Sequence, residues 1–149
     1  MKKIYLIVII FLNTIAFSSE KNISYFYIDS NELIITDNPL ISEFIGNAYA
    51  RNELHHFWGD KISVYYDSDK KIELITIHKN VKIKGPNEEI YGDKATYNLK
   101  LENIKINGNV SMLRDGNILN GNELIVDLIN STSIIMGNKS KQVSVKVTK

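Results

Sequence analysis

Two short phrases alternate along the chain, and the distances between them constrain its fold more than any other feature. The first reads "SNELIITD" at Ser30, "GDKISVYY" at Gly59, "GDKATYNL" at Gly92 and "GNELIVDL" at Gly121. The second reads "FIGNAYA" around Gly46, "IHKNVKI" around Lys79, "INGNVSM" around Gly108 and "IMGNKSK" around Gly137. From a second phrase to the next first phrase (46 to 59, 79 to 92, 108 to 121) the spacing is always 13. From first to second it is 16, 20, 16 and 16, so four extra residues lie between Gly59 and Lys79. Four such units, starting near 30, 59, 92 and 121, must bury together what one unit cannot bury alone.

If successive anchors sit opposite each other on antiparallel strands, every midpoint between them must be a turn. The midpoints fall in "DNP" (37–39), "RNEL" (51–54), "DSDKK" (67–71), "GPN" (85–87), "KLEN" (100–103), "RDG" (114–116) and "INST" (129–132). Most of these are clusters of Asn, Asp, Gly, Pro or Ser with a definite turn mechanism; only "RNEL" and "KLEN" are weak. The spacing therefore predicts an all-β chain: an antiparallel meander of about eight strands of roughly 10 to 12 residues, against a usual length nearer 5 to 6. No helix is expected in the mature chain.

Alternation sorts the side chains into two faces. Ile104, Ile106, Val110 and Met112 point one way, and Lys105, Asn107, Asn109 and Ser111 the other. Ile75, Ile77, Val81 and Ile83 repeat the apolar face, as do Phe44, Ala48 and Ala50; the first phrases add Ile62 and Val64, then Ala95 and Tyr97, then Leu124 and Val126. Through the middle of the strands runs a line of glycines, Gly46, Gly59, Gly92, Gly108, Gly121 and Gly137. Glycine inside a strand marks a bulge or bend, and a row of them bends the whole sheet at one level, turning the apolar faces of the two halves inward. Closed, such halves make an ordinary sandwich core; open, they make an apolar trough.

The ends add two expectations. Lys2 and Lys3 precede an unbroken apolar run from Ile4 to Leu12, followed by small residues at Ala16 and Ser18, which reads as a secretory signal peptide over 1–18 with cleavage after Ser18. A helix of about 14 residues would rise only about 21 Å, short of the roughly 30 Å hydrocarbon core of a bilayer. "SYFYI" (24–28) and "VSVKV" (143–147) alternate as edge strands, placing Tyr25, Phe26, Tyr27, Val143, Val145 and Val147 where partners could add strands.

Removing 1–18 subtracts two lysines from a chain of formal charge +1, leaving about −1, so nothing points to nucleic acid. With no cysteine there is no disulfide and no thiol chemistry, and no Gly-rich phosphate loop is present. His55 and His56 beside Asp60 find no third ligand at a fitting spacing and read as surface residues flanking a turn, and His78 alternates outward with Ile77. No metal, cofactor or catalytic residue is expected, and the chain reads as a non-enzyme.

The phrases "GDKATY", "INGNVSM", "DGNILNGNELIVDL" and "DSNELIITDNPLISEFIGNAYARN", in this order and spacing, resemble the OstA-like (LptA-type) N-terminal domain family over roughly residues 24–147. Lys79 and Ser30 stand where the other repeats carry glycine. The resemblance implies a bent, open β-jellyroll, a V-shaped trough formed by a single domain over 19–149. It implies a non-enzymatic periplasmic protein that binds the acyl chains of lipopolysaccharide and bridges the inner and outer membranes in outer-membrane assembly. Implied partners are inner-membrane LptC-like and outer-membrane LptD-like components and further copies of the chain stacked head to tail. Of the inward-facing residues, those expected to line such a trough are Phe44, Ile62, Val64, Ile75, Ile77, Val81, Tyr97, Ile104, Ile106, Val110, Met112, Leu124 and Val126. Two rival readings are a membrane-anchored LptC-like component and a structural β-repeat scaffold with a closed core.

Overall fold

The computed structural model describes residues 25–148; the expected signal peptide over 1–18 and Ser24 lie outside the described residues. Ten strands form one antiparallel sheet: β1 (Tyr27–Asp29), β2 (Glu32–Asp37), β3 (Leu40–Arg51), β4 (His56–Tyr66), β5 (Ile72–Lys84), β6 (Glu88–Asn98), β7 (Asn103–Arg114), β8 (Asn117–Asp127), β9 (Thr132–Met136) and β10 (Ser144–Lys146). Strands β3 to β8 pair in chain order; β1 and β2 both pair with β3, and β9 and β10 both pair with β8. All seven expected turns lie between strands, and among the described residues there is no helix. The sheet stays open, since its first and last strands do not meet.

The strand count differs from the expected eight because each outer rung is broken in two. Inner strands have ladders on both sides that carry them through the bend, whereas an outermost strand has only one. The chain therefore breaks at Ser30–Asn31, where Asn31 N donates to Gly46 O at 3.0 Å, and again between Met136 and Ser144. Both weak turns are closed by an asparagine side chain, Asn98 just before the "KLEN" window and Asn52 within "RNEL". Asn98 Oδ1 accepts from Leu101 N at 2.9 Å, and Asn52 Oδ1 accepts from Leu54 N and His55 N at 3.0 and 2.7 Å. The four extra residues lengthen the β4–β5 hairpin itself, adding the pair Tyr66↔Ile72, and enlarge its turn by only one residue relative to β6–β7.

The pairing register slips at one level in all five pairings from β3/β4 to β7/β8. There β3, β5 and β7 each insert two residues of positive φ, Gly46–Asn47 (81°, 47°), Lys79–Asn80 (61°, 49°) and Gly108–Asn109 (78°, 46°), opposite a single residue of the neighbouring strand. Asparagine tolerates this left-handed geometry better than most residues, and Gly46 and Gly108 adopt it without a Cβ penalty. The insertions divide the sheet into two arms. One holds the stretches from Phe44 to Ile45, Lys61 to Tyr66 and Leu74 to His78 with β2 and β9; the other holds Ala48 to Arg51, His56 to Trp58 and Val81 to Lys84 with β1 and β10.

The glycine line thus has two different jobs. Gly108 is not a gap in the inner face: a Cβ there would run into the exposed Asp93 carboxylate on the outer side. The inner gaps are on the even strands, where a Cβ on Gly59 or Gly92 would overlap Cγ2 of Ile77 or Ile106, and one on Gly121 would lie 2.7 Å from Ile135 Cγ1. Gly137 lies just past β9, against the backbone carbonyl of Lys141, and takes no part in a strand. Two substitutions separate these jobs in urea unfolding. Gly92→Ala is expected to destabilise by about 1 to 3 kcal/mol through overpacking. Lys79→Gly is expected to stabilise by about 1 kcal/mol by relieving left-handed strain.

Candidate lipid trough

The inner surface is built in straight rows across the strands. One row runs Leu33, Phe44, Ile62, Ile77, Ala95, Ile106, Leu124, Ile135, each residue opposite the next. On the other arm a matching row runs Ile28, Ala50, Phe57, Ile83, Ile90, Met112, Leu119, Val145. Between them, at the bend, Ala48, Val81 and Val110 face Gly59, Gly92 and Gly121. Apolar rows of this kind gain roughly 25 cal/mol per Å² of apolar surface covered.

All thirteen residues read from the sequence as lining lie in this inner layer. Ile62, Val64, Ile75, Ile77, Val81, Ile104, Ile106, Val110, Met112, Leu124 and Val126 are buried, and Phe44 and Tyr97 pack half-buried against them. The sequence reading left out Phe57 and Ile90, which are buried, and Leu119, which packs on the layer. Each stands two residues before an even-strand glycine (59, 92, 121), a position the repeat alignment could have supplied.

The two arms touch. Phe57 of one arm stacks near-parallel to Tyr97 of the other with ring centroids 6.3 Å apart, and Phe26 sits against both, at 6.3 and 6.0 Å. The apolar space they share with Ala50, Ile75 and Ile77 is only about 10 Å³, about what one water molecule needs. Burial pushes the Tyr97 phenol above its ordinary range. In this state the layer is covered by itself along the middle of the sheet.

At the edges it is not. Leu33 and Ile35 of β2 lie on inner rows yet are 50% and 59% exposed, and Val145 of β10 is 54% exposed. These overhangs are on opposite arms at opposite ends of the sheet. Of the residues expected at the edges, Tyr27 lies in β1 and Val145 in β10, while Tyr25, Val143 and Val147 flank them exposed. Phe26, expected with them at the edge, packs inward against Phe57 and Tyr97. The sequence reading missed β2 and β9 as the other halves of these edges.

The outer face is polar and paired across strands: Lys61 with Glu43 at 2.8 Å, Lys105 with Glu123 at 3.1 Å and Arg114 with Glu88 at 3.1 Å. On its ridge Asn80 Nδ2 donates to Asp60 Oδ1 and Asn109 Nδ2 to Asp93 Oδ2, both at 2.9 Å. The buried polar side chains, Ser42, Ser63 and Thr76, are all uncharged. No grouping of three or more metal-ligating side chains occurs among the described residues.

The histidines need correction. His55 is not simply a surface residue: it packs on Phe57 at 6.1 Å, and burial lowers its pKa, opposed by the nearby Glu88 carboxylate. His56 shares a 2.6 Å hydrogen bond with the Tyr49 hydroxyl and stacks on Trp58. His78 does face outward, beside Thr76 Oγ1 at 3.2 Å, and its pKa is also lowered, first by desolvation and then by Lys94 and Lys61.

An open, bent β-jellyroll with one continuous apolar inner layer and two free edges is the class this architecture defines. The family model described as "LptA/(LptD N-terminal domain) LPS transport protein" matches residues 27–132, and the chain belongs to that family. Among solved structures it is similar to the crystal structure of LptH from Pseudomonas aeruginosa, the LptA homologous periplasmic component of a lipopolysaccharide transport device. The TM-score is 0.75 at 12% identity, covering 84% of this chain and 96% of that chain. No curated protein matches this sequence.

The lowered histidines set a pH dependence. A histidine whose folded pKa lies below 6.5 stays neutral in the folded chain after the unfolded chain has begun to take up a proton, so stability is constant above that range and falls as pH drops through it. Glu43, Glu89 and Asp127, each lowered by hydrogen bonds or lysines, extend the loss at lower pH. Urea midpoints measured from neutral to mildly acidic pH are expected to decline, and His55→Gln is expected to flatten the portion just below 6.5.

Proposed function

We propose that this chain is an exported, periplasmic carrier that holds the acyl chains of lipopolysaccharide between its two arms and passes them on through its split edges. The observation that carries the reading is the inner layer itself. It is apolar across every strand, free of charge, hinged on one line of left-handed insertions, and uncovered only at the two ends.

Acyl chains enter when the arms part along the bend. Each CH₂ removed from water contributes about 0.8 kcal/mol, which offsets the Phe57–Tyr97 and neighbouring contacts that the lipid displaces. Such binding holds the lipid without fixing its position along the row, so direction and energy come from partners that add to the edges. In a head-to-tail stack the β2 overhang of one copy, Leu33 and Ile35, meets an end where the opposite arm overhangs with Val145. Each then covers the other while the unpaired strand edges of β1 and β10 gain partners. The same edges are where inner- and outer-membrane components of a transport bridge would add. Export follows from the signal peptide read in residues 1–18, and a mature N-terminus at Ser19 is the expected processing product.

A photoreactive side chain at position 106 or 110 is expected to crosslink to lipid A in living cells, while one at the outward position 105 is not. Absence of lipid crosslinks from every inward position would leave a closed structural core as the better reading. Crosslinkers at 26 and 145 should trap ladders of oligomers, and monomers alone at all concentrations would refute the stacking.

A further inference from the structure

The outer face of the β1/β10 arm carries a cross-strand row of aromatic side chains and one lysine. Tyr49, Trp58, Lys82 and Tyr91 stand directly opposite one another on four consecutive strands. The Trp58 ring lies 5.2 Å from Tyr49 and 5.8 Å from His56, the latter at an interplanar angle of 15°. Lys82 Nζ is poised between two aromatic faces, 5.3 Å from the Trp58 centroid and 5.7 Å from that of Tyr91. The Tyr91 hydroxyl donates to Glu89 at 2.8 Å, which fixes its ring although Tyr91 is 40% exposed. Beside this row, where the insertions notch the ridge, is an open cavity of about 490 Å³ lined by Trp58, Asn80, Lys82, Tyr91, Asp93 and Asn109.

The chemistry of the lining selects an occupant. Trp58 and Tyr91 stand as two aromatic walls with the flexible Lys82 side chain between them, while two amides that both donate and accept, one carboxylate acceptor and the Lys82 ammonium donor complete the lining. An acyl chain makes no use of the polar capacity left over from the Asn80–Asp60 and Asn109–Asp93 pairs, and a free phosphate meets the carboxylates of Asp93, Asp60 and Glu89. A ligand with one apolar ring face and a rim of hydroxyls satisfies both parts. We propose that this cavity binds a pyranose unit of a glycan, stacked on Trp58 and Tyr91 with its hydroxyls on Asn80, Asp93, Asn109 and Lys82. The site is on the opposite side of the sheet from the lipid layer and does not depend on the lipid reading.

Trp58 is the only tryptophan of the chain, so its fluorescence reports on the site directly. The full mature chain is titrated with two probes, the tetramer of N-acetylglucosamine and the lipid-free polysaccharide released from lipopolysaccharide. A saturable change with either probe is expected, weakened about tenfold in Tyr91→Ala, a loss of about 1.4 kcal/mol, and restored in Tyr91→Phe, which keeps the ring. The tetramer as the better ligand identifies a cell-wall type of glycan, and the polysaccharide as the better ligand identifies a lipopolysaccharide type of glycan. No saturable change with either probe, or equal affinity in Tyr91→Ala with its unfolding midpoint intact, would overturn the proposal.

Discussion

Everything in this molecule depends on a backbone event repeated three times at one level: two consecutive left-handed residues inserted opposite a single residue of the neighbouring strand. One insertion would be a local bulge. Three in register, on every second strand, turn the defect into a crease, because each ladder slips at the same rung and the sheet cannot run flat through it. The crease converts a one-sided amphipathic sheet, which could not bury its apolar face alone, into two arms that cover each other. It also explains the outer strands, which break where only one ladder supports them.

The crease decides the function that the inner layer can serve. Closed, the layer excludes solvent across the middle of the sheet, with Phe26, Phe57 and Tyr97 bridging the arms. The edges stay unpaired and overhang on opposite arms, an arrangement that leaves apolar surface in water unless something covers it. A membrane lipid between the arms and a second chain at each end would satisfy both exposures. Family membership in lipopolysaccharide transport fits a fold that keeps one continuous apolar layer between two arms.

Much of this was legible before any coordinates. The constant spacing of 13 residues located the bend, the midpoints located the seven turns between the long strands, and the two-residue alternation put the thirteen residues read as lining on the correct face. What escaped was whatever depends on the direction of a Cβ bond at an irregular step. Gly108 has the same parity as Ile106 and Val110, yet the inserted residue Asn109 turns it outward, so parity counting fails across the crease. Phe26 is expected at the edge with Tyr25 and Tyr27, yet it lies just before a strand of only three residues and packs into the inner layer, a contact that alternation within so short a strand does not reveal. The histidines read as exposed because they flank a turn, whereas His55 packs on Phe57 two residues along and His56 on Tyr49 of the neighbouring strand.

The central claim is that the arms part along the crease to admit acyl chains. Spin labels at the outward positions Thr96 and Ser111, one on each arm, would report the separation directly by pulsed electron resonance. The account predicts a distribution that shifts to longer distance when lipopolysaccharide is added and returns when it is removed. An unchanged distance with lipid demonstrably bound would contradict it.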